Sequence, residues 1–351
     1  KPRKPEEPIR NLDLDLAASV QAVTEQIVLQ IARTLKNLSG ARFLCLAGGV
    51  ALNCVANGRL VEKKIFEKVW IQPAAGDAGG ALGAALAAYF LHFKKERTVD
   101  QHSDLMKGGL LGPSYQDSAI ESSLRNRKIE FHKFDSPKEA LSQAAQILSR
   151  GQTVGIFQGR MEYGPRALGS RSIVGDPRVP DMQKRMNLQI KFRESFRPFA
   201  PAVLQEQQNE IFEIGDPSPY MLITSQVRSH LLVPAKADTQ GLSKITQIRS
   251  KYPAITHVDN SARIQTVARI QNELFHHLLS EFNDASGCPL VINTSFNVRG
   301  EPIVESPEDA IDCFINTDID ALCIGSYIVE KNRIDVESLR RPGWRDQFER
   351  D

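Results

Sequence analysis

The sequence contains few cysteines and no paired metal-binding histidines. Its five cysteines show no Cys-x-x-Cys spacing, which argues against a disulfide framework and against a zinc site built from cysteine pairs. The seven histidines include no His-x-x-x-His pair, and no Gly-x-x-x-x-Gly-Lys-Ser/Thr loop occurs. A complete helical metal site and a Walker-type nucleotide loop are therefore excluded. We expect buried free thiols at Cys45, Cys54, Cys288, Cys313 and Cys323.

Long apolar runs and a strong net charge are also missing. No run approaches the roughly 18 residues that a membrane span needs, and residues 1–10 lack the apolar centre of a secretory signal. We therefore expect a cytoplasmic protein with no membrane contact. The 44 Lys and Arg against 42 Asp and Glu leave a formal net charge of +2. This balance argues against a nucleic-acid partner and favours a small polyanionic ligand.

The positive charge that is present is concentrated in one region. Residues 159–172 contain three arginines and three glycines directly after a short apolar run. Arginine offers fork-shaped donors for phosphate or carboxylate oxygens, and glycine lets the backbone approach a ligand closely. The wider region 158–200 holds nine Lys or Arg against four Asp or Glu. This pattern predicts an anion-binding site.

The first third of the chain alternates predicted helices and strands. Apolar residues at helical spacing predict a long amphipathic helix over residues 14–38. A buried strand at 42–47 then runs into Gly48 and Gly49, and a helix follows to about Lys63. The free amides at the start of such a helix can bind a phosphate.

A second strand, at residues 68–72, ends in a turn at 73–81, and a helix of small residues follows to about His92. Asp77 lies at the mouth of this turn. Its carboxylate would either bind a cation or cap the helix. The sequence alone leaves both alternatives open.

Further clusters of polar side chains lie downstream. Lys191 and Arg193 are two residues apart, so in an extended segment they would share one side and suit a phosphate chain. Within 256–265, His257 is either an active-site donor or a hydrogen-bonded structural residue. A buried strand from Leu290 leads into side chains that can hold a carbonyl or phosphate oxygen, namely Asn293, Thr294, Ser295 and Asn297.

Each cluster also has an ordinary interpretation. A run of Lys and Arg usually forms a solvated face, and a Ser/Thr/Asn loop after a strand usually caps the next helix. Interleaved Gly, Pro and Phe make residues 160–197 unlike an exposed charged helix. Taken together, the clusters favour a functional site.

The order of predicted elements indicates an α/β protein of two domains. The polar, glycine-containing stretch 94–112 suggests a boundary near Lys107. We assign residues 1–106 to the first domain, 107–335 to the second, and 336–351 to a charged tail, of which we expect residues 340–351 to be frayed.

Five stretches of the sequence resemble the carbamoyltransferase family that includes NodU and the tobramycin and cephamycin carbamoyltransferases. They follow the family's order from about residue 40 to 330. Their combination is specific to this family. They are residues 47–53, 76–81, 158–169, 191–201 and 293–302.

The resemblance implies a fold in two modules. The first domain would be the C-terminal part of an ATPase-like domain of the actin/sugar-kinase type, similar to the threonylcarbamoyl-adenosine synthase subunit. The second would be a YrdC-like α/β domain. The family's His-Asp-Ser opening and His-x-x-x-His metal ligands have no match in this sequence, so an upstream segment or a partner would complete the first module. Asp77 matches the family's aspartate ligand for Fe²⁺ or Mn²⁺.

The resemblance also implies a reaction. The second module would convert carbamoyl phosphate and ATP, with Mg²⁺, to carbamoyl adenylate, and the first would pass the carbamoyl group to a hydroxyl of a small-molecule acceptor. Arg166, Lys191 and Arg193 would be catalytic, and Gly48, Gly49 and Asn53 would hold the adenylate in the first module. The residues that would bind carbamoyl phosphate or nucleotide are Arg160, Gly164, Arg171, Ser172, Arg197, His257, Asn293, Thr294, Ser295 and Asn297.

Two other classes compete with this enzyme. One is a catalytically incomplete nucleotide-binding fragment or scaffold. The other is a relative that modifies a tRNA adenosine, which the absence of a broad basic surface disfavours.

Overall fold

A computed structural model describes residues 3, 7–98, 104–234, 244–245 and 247–348. Its helices are α1 Asn11–Ser39, α2 Cys54–Glu62, α3 Ala78–Ala87, α4 Asp117–Asn126, α5 Pro137–Ser149, α6 Met182–Arg185, α7 Gln208–Ile211, α8 Glu273–Ser286, α9 Pro307–Asn316 and α10 Val336–Leu339. Its strands are β1 Phe43–Leu46, β2 Lys68–Ile71, β3 His132–Lys133, β4 Val154–Phe157, β5 Arg171–Gly175, β6 Ala200–Leu204, β7 Ile223–Gln226, β8 Ser261–Val267, β9 Leu290–Ser295, β10 Ala321–Ile324 and β11 Tyr327–Glu330.

The first part of the chain confirms the predicted order of helices and strands. Helix α1 begins after Arg10, whose backbone N–H donates to Asp13 Oδ2 at 2.9 Å, and ends before Gly40, which has a left-handed conformation. Strands β1 and β2 pair in parallel, with Phe43 opposite Lys68. A single π turn, Ala88–His92, extends α3.

A mixed sheet of nine strands dominates the described part of the chain. The strand order is β3-β11-β10-β4-β5-β9-β6-β8-β7, and the pairs β4/β10 and β6/β8 are parallel while the other neighbours are antiparallel. Helices α5 and α8 pack against each other, with Ala144, Leu278 and Phe282 fully buried. Together with the predicted order of elements, this sheet confirms a mixed α/β fold.

The first part of the chain, which contains the two-stranded sheet of β1 and β2, packs against the edge of the nine-stranded sheet. Helix α2 packs on β7, and a Cβ added to Gly58 would lie 2.5 Å from the carbonyl oxygen of Thr224. Asn57 Nδ2 also donates to the carbonyl oxygen of Leu222 at 3.0 Å. A side chain larger than hydrogen at position 58 would therefore push α2 off the sheet.

Three local expectations were wrong. Residues 186–190 form a π turn, and Lys191 has helical dihedrals (φ −87°, ψ −15°), so Lys191 and Arg193 do not lie on an extended segment. Cys45 is exposed and Cys54 half-buried, although the other three cysteines are buried thiols. The C-terminal segment is not frayed throughout, because Trp344 is 8% exposed and packs on the core.

Among the described residues, no helix has the length and apolarity to cross a bilayer.

Candidate anion-binding site

The arginine-rich loop between β4 and β5 is organised by a buried acid. Glu162 Oε1 accepts hydrogen bonds from the backbone N–H groups of Leu168 at 2.7 Å, Ser170 at 2.8 Å and Arg171 at 3.3 Å. These bonds close the loop onto itself, so a carboxylate in the middle of a basic stretch shapes the segment. Sequence reasoning missed Glu162, although a lone acid among arginines was the available signal.

Arg171 and Ser172 hold the base of this loop. The Arg171 side chain is fully buried, stacks 3.6 Å from the ring centroid of Phe157, and donates to the carbonyl oxygens of Gln158 and Ser170, each at 3.0 Å. Burial lowers the pKa of Arg171 to about 10. Ser172 Oγ accepts from the N–H of Gly169 at 2.9 Å. Both side chains have structural partners here, and their binding of phosphate stays a prediction.

Arg166 and Arg263 form a pair of neighbouring guanidinium groups. Arg166 is half-buried, and its buried Nε has no hydrogen-bond partner among the described residues. Arg263 lies on β8, and burial together with the charge of Arg166 lowers its pKa to about 10. Within the described ranges, no Asp or Glu forms an ion pair with either residue. Partly buried like charges without a counter-ion are unfavourable, and a bound anion would relieve that cost.

Arg193 extends this group. Its Nε donates to Asn187 Oδ1 at 2.6 Å, and its guanidinium carbon lies 5.0 Å from the ring centroid of Phe199. Burial and the charge of Arg197 lower the pKa of Arg193 to about 10, and Arg263 lowers it further. Arg197 itself is exposed and pairs with the neighbouring acid Glu194 at 3.4 Å.

Lys191 joins the loop after α6 to the end of β9. Its Nζ lies within hydrogen-bond distance of the Ser295 carbonyl oxygen at 2.8 Å and hydroxyl at 3.1 Å, and of the Asn297 carbonyl oxygen at 2.8 Å and Oδ1 at 2.6 Å. The residue is 4% exposed, and burial lowers the pKa of Lys191 to about 7. The structure therefore brings together two loops about a hundred positions apart.

Four cations from three segments lie close enough to lower one another's pKa values in sequence. Arg193 lowers the pKa of Lys191, Arg263 lowers that of Arg193, and Arg166 lowers that of Arg263. We call Lys191, Arg193, Arg263 and Arg166 the cation row. Arg263 falls within the stretch 256–265, but no role was assigned to it from the sequence because no motif surrounds it. Such a row can neutralise a ligand that carries several negative charges.

Asn293 and His257 lie near members of the cation row, and Thr294 follows Asn293 on β9. Asn293 is buried, and its Nδ2 donates to the carbonyl oxygen of Ala167 at 3.2 Å and to Gln265 Oε1 at 2.6 Å, which braces the loop that carries Arg166. Its Oδ1 is buried without a partner among the described residues. Thr294 is half-buried on β9. Burial lowers the pKa of His257, and Arg263 lowers it further.

Arg160 and Gly164 lie on the outer side of the loop. Arg160 is exposed and donates to the carbonyl oxygen of Leu111 at 2.9 Å. Gly164 has φ +128°, and a Cβ there would lie 3.1 Å from the carbonyl oxygen of Pro73. The glycine thus allows the loop to touch the turn after β2. Ligand binding by Arg160 or Gly164 stays a prediction.

In the first part of the chain, the predicted adenylate residues lie between β1 and α2. Gly48 has φ +94°, donates its N–H to the carbonyl oxygen of Ala75 at 2.8 Å, and like Gly49 has open space where a side chain would lie. Asn53 caps α2 by accepting from the N–H of Ala56 at 3.1 Å, and it donates to Gln21 at 2.9 Å. Asn53 therefore has a structural role, and its contact with an adenylate stays a prediction.

Asp77 is exposed at the start of α3 and makes no capping hydrogen bond. The capping alternative is therefore not supported. Within the described residues, no group of three or more His, Cys, Asp or Glu could hold a metal ion. Divalent transition metals in proteins need several such ligands. The described residues do not by themselves fit a metal centre.

Models of one protein family match both parts of the chain. A family model for the carbamoyltransferase C-terminus matches residues 145–331, and one for the carbamoyltransferase N-terminus matches residues 2–86. The uncharacterized protein sll1178 of Synechocystis is 48% identical over 99% of this chain and 57% of its own length. Nodulation protein NolNO of Sinorhizobium fredii is 39% identical over 93% of this chain and 45% of its own length.

Nodulation protein U of Bradyrhizobium diazoefficiens is 34% identical over 85% of this chain and 47% of its own length. The chain spans about half the length of the curated relatives that it matches.

Proposed function

The chain belongs to the carbamoyltransferase family, and on this premise we propose that its cation row binds carbamoyl phosphate and the phosphates of ATP. The product would be carbamoyl adenylate, and the carbamoyl group would pass to a hydroxyl of a small-molecule acceptor. The observation that carries this proposal is the pair Arg166 and Arg263, which have no acidic partner among the described residues. Both substrates are polyanions that would supply the missing counter-charge.

The chemistry explains why cations from several segments are needed. Water cleaves carbamoyl phosphate to carbamate and phosphate, and a carbamate oxygen then attacks the α-phosphorus of ATP as pyrophosphate leaves. Negative charge develops on the leaving oxygens, and fixed guanidinium groups stabilise that charge without reorganisation. Arg166, Arg193 and Arg263 would bind the phosphates, while Lys191 holds Ser295 and Asn297 in place for the carbamoyl group.

The decisive experiment measures pyrophosphate released from ATP when carbamoyl phosphate is added to this chain. We expect release by the wild type and its loss, by a factor of about 10² or more, in Arg166→Ala and Lys191→Ala. Arg269→Ala removes an exposed cation paired with Glu273 and serves as the control. Binding of ATP without pyrophosphate release would identify a nucleotide-binding scaffold, and salt-dependent tRNA binding would favour a tRNA-modifying relative.

ATP with Mg²⁺ is the proposed nucleotide, and Fe²⁺ or Mn²⁺ is the proposed metal of the first module. Asp77 would be one ligand, and the others would come from outside the described residues. Stoichiometric, tight binding of Mn²⁺ to this chain in a calorimetric titration would show that its metal site is built differently.

Exposed apolar residues on α1 support a further contact within the complete enzyme. Leu16, Val20 and Ile31 are each more than half exposed, and the adjoining groove is lined by apolar residues of α1 and β1. A stripe of this kind on a soluble helix usually packs against another element. In the family's longer members, the remainder of the ATPase-like module would cover it.

A further inference from the structure

Two buried amide side chains meet across the middle of the large sheet. They belong to Gln265 on β8 and Asn293 on β9, and Asn293 Nδ2 donates to Gln265 Oε1 at 2.6 Å. The two strands are not neighbours, because β6 lies between them. We call Gln265 and Asn293 the amide bridge.

Small residues on β6 allow the amide bridge to form. Gln265 lies opposite Ala202, and Asn293 lies opposite Ala200. Because side chains alternate between the two faces of a strand, all four residues share one face of the sheet. Strands two places apart are separated by about 10 Å. Two amide side chains close this gap because the residues between them are alanines.

The amide bridge holds the arginine-rich loop on this face of the sheet. Gln265 Nε2 donates to the carbonyl oxygen of Leu168 at 2.8 Å, and Asn293 Nδ2 also donates to that of Ala167 at 3.2 Å. These two carbonyl groups follow directly after Arg166. The backbone next to Arg166 is therefore fixed to two strands of the sheet.

The partners of Gln265 determine how its amide is oriented. A carbonyl oxygen can only accept hydrogen bonds, so the nitrogen of Gln265 faces Leu168 and its oxygen faces Asn293. One side chain thus joins the loop to β9. A shorter or an apolar side chain at position 265 cannot make both bonds.

Arg166 depends on this support from its backbone. Among the described residues, its side chain makes no hydrogen bond or ion pair, and its Nε is buried. Arg263 lies two residues before Gln265 on β8, so both side chains leave the same face of the strand. The face that carries Gln265 therefore also carries one member of the cation row.

We propose that Gln265 is a positioning residue, which sets the place of Arg166 in the cation row and thereby the affinity for the anion. Gln265 acts through the carbonyl group of Leu168 and does not touch the ligand. The identity of the ligand rests on the function proposed above, whereas the positioning of Arg166 rests on the hydrogen bonds of the amide bridge.

The test compares two matched substitutions. Gln265→Met keeps an unbranched side chain of similar length but removes both hydrogen bonds. Gln158→Met is the control, because Gln158 and Gln265 are both 3% exposed and Gln158 Nε2 also donates to a backbone carbonyl oxygen at 2.8 Å, that of Gly325. We expect the two variants to lose comparable stability in denaturant unfolding. A difference between them at Arg166 then reports its position.

The Nε–H signal of Arg166 in an NMR spectrum reports this position without any ligand. The signal is assigned with Arg166→Lys, and we expect its exchange with water to be slow in the wild type because Nε is buried. Exchange should be about tenfold faster in Gln265→Met and unchanged in Gln158→Met. If Gln265→Met does not fold, Gln265→Asn keeps the amide but shortens its reach, and the same change is expected. Equal exchange in the wild type and in these position-265 variants would overturn the proposal.

Calorimetry with carbamoyl phosphate connects the position of Arg166 with binding. We expect Gln265→Met to bind about tenfold more weakly than the wild type, as the loss of one or two hydrogen bonds would cause, and Gln158→Met to bind normally. Equal affinity in the wild type and Gln265→Met would refute the effect on binding. If the exchange at Arg166 changes but the wild type does not bind carbamoyl phosphate, the positioning stands and the proposed function fails.

Discussion

The guanidinium of Arg345 stacks on the ring of Phe192, with its central carbon 3.8 Å from the ring centroid. Phe192 lies between Lys191 and Arg193 and has φ +50°, a left-handed conformation that is unfavourable for a bulky residue. The C-terminal segment that holds Arg345 is itself anchored by the buried Trp344. Residues near the end of the chain therefore hold a loop of the cation row.

Replacing Arg345 tests this support. We expect Arg345→Ala to lower the free energy of unfolding by about 1 kcal/mol, because a partly buried cation–π contact is lost. We also expect weaker binding of carbamoyl phosphate, because Phe192 becomes free to leave its strained conformation. Denaturant unfolding and calorimetry measure the two effects. Arg333→Ala, which removes an exposed partner of Glu330, is the control, and equal losses in both variants would contradict the interpretation.

Replacing Arg263 should separate stability from binding. Arg263→Gln removes a partly buried charge that has no acidic partner among the described residues, so we expect the unliganded protein to gain about 1 kcal/mol in stability. Binding of carbamoyl phosphate should be lost in the same variant. Thermal unfolding in phosphate-free buffer measures the first effect.

Arg178→Gln provides the opposite case. Arg178 pairs with the buried Asp176 at 2.7 Å, so its loss leaves a carboxylate without its partner and should destabilise the protein. If both variants are destabilised alike, Arg263 has a counter-ion that the described residues do not reveal.

Two glycines of the arginine-rich loop distinguish backbone strain from close contact. Gly159→Ala meets only the cost of a positive φ (+53°), because no atom lies within 4 Å of an added Cβ. Gly164→Ala meets φ +128° and the Pro73 carbonyl oxygen at 3.1 Å. We expect losses of about 1 kcal/mol for Gly159→Ala and about 2–3 kcal/mol for Gly164→Ala, measured by denaturant unfolding. A smaller loss at position 164 would show that the contact with the first part of the chain is loose.

Lys331 should make stability depend on pH in the alkaline range. Its ammonium donates to the carbonyl oxygens of Phe314 and Thr317 at the end of α9, and burial lowers its pKa to about 8. Between about pH 8 and 10.5 the unfolded chain binds more protons at this site than the folded chain, so the free energy of unfolding should rise with pH.

In Lys331→Met the rise of the free energy of unfolding with pH should become smaller. The contribution of Lys191, whose pKa is also lowered by burial, should remain. Lys133→Met is the control, because Glu121 raises the pKa of Lys133, so this residue contributes no rise in the free energy of unfolding with pH. Chemical unfolding at several pH values measures the slopes, and identical slopes in wild type and Lys331→Met would refute the assignment.

Local patterns predicted much of the first part of the chain. Helical spacing predicted α1, and short apolar runs followed by glycine turns predicted β1 and β2, because these elements depend on neighbours a few positions away. Residues 186–191 were harder, since Lys-Phe-Arg resembles a strand fragment while the chain forms a π turn there. Lys191 bonds to the carbonyl oxygen of Ser295, a distant contact that the local sequence does not reveal.

The candidate site was predictable in its residue types more than in its arrangement. Lys191 and Ser295 came from separate motifs, and only the fold shows that they form a hydrogen bond. Glu162 was missed as the acid that organises the arginine-rich loop, because only the fold shows which backbone N–H groups donate to it. Arg263 was missed as a member of the cation row because its neighbours come from other segments.

The arginine-rich loop rests on both parts of the chain. Tyr163 donates to the carbonyl oxygen of Ala78, Gly164 meets Pro73, and Leu168 packs in one cluster with Ala51 and Ile71. A tilt of α2 and the two-stranded sheet against β7 would therefore carry the guanidinium of Arg166 with it. If the cation row binds a phosphate as proposed, the bound ligand should also restrict the movement of α2 and of the two-stranded sheet.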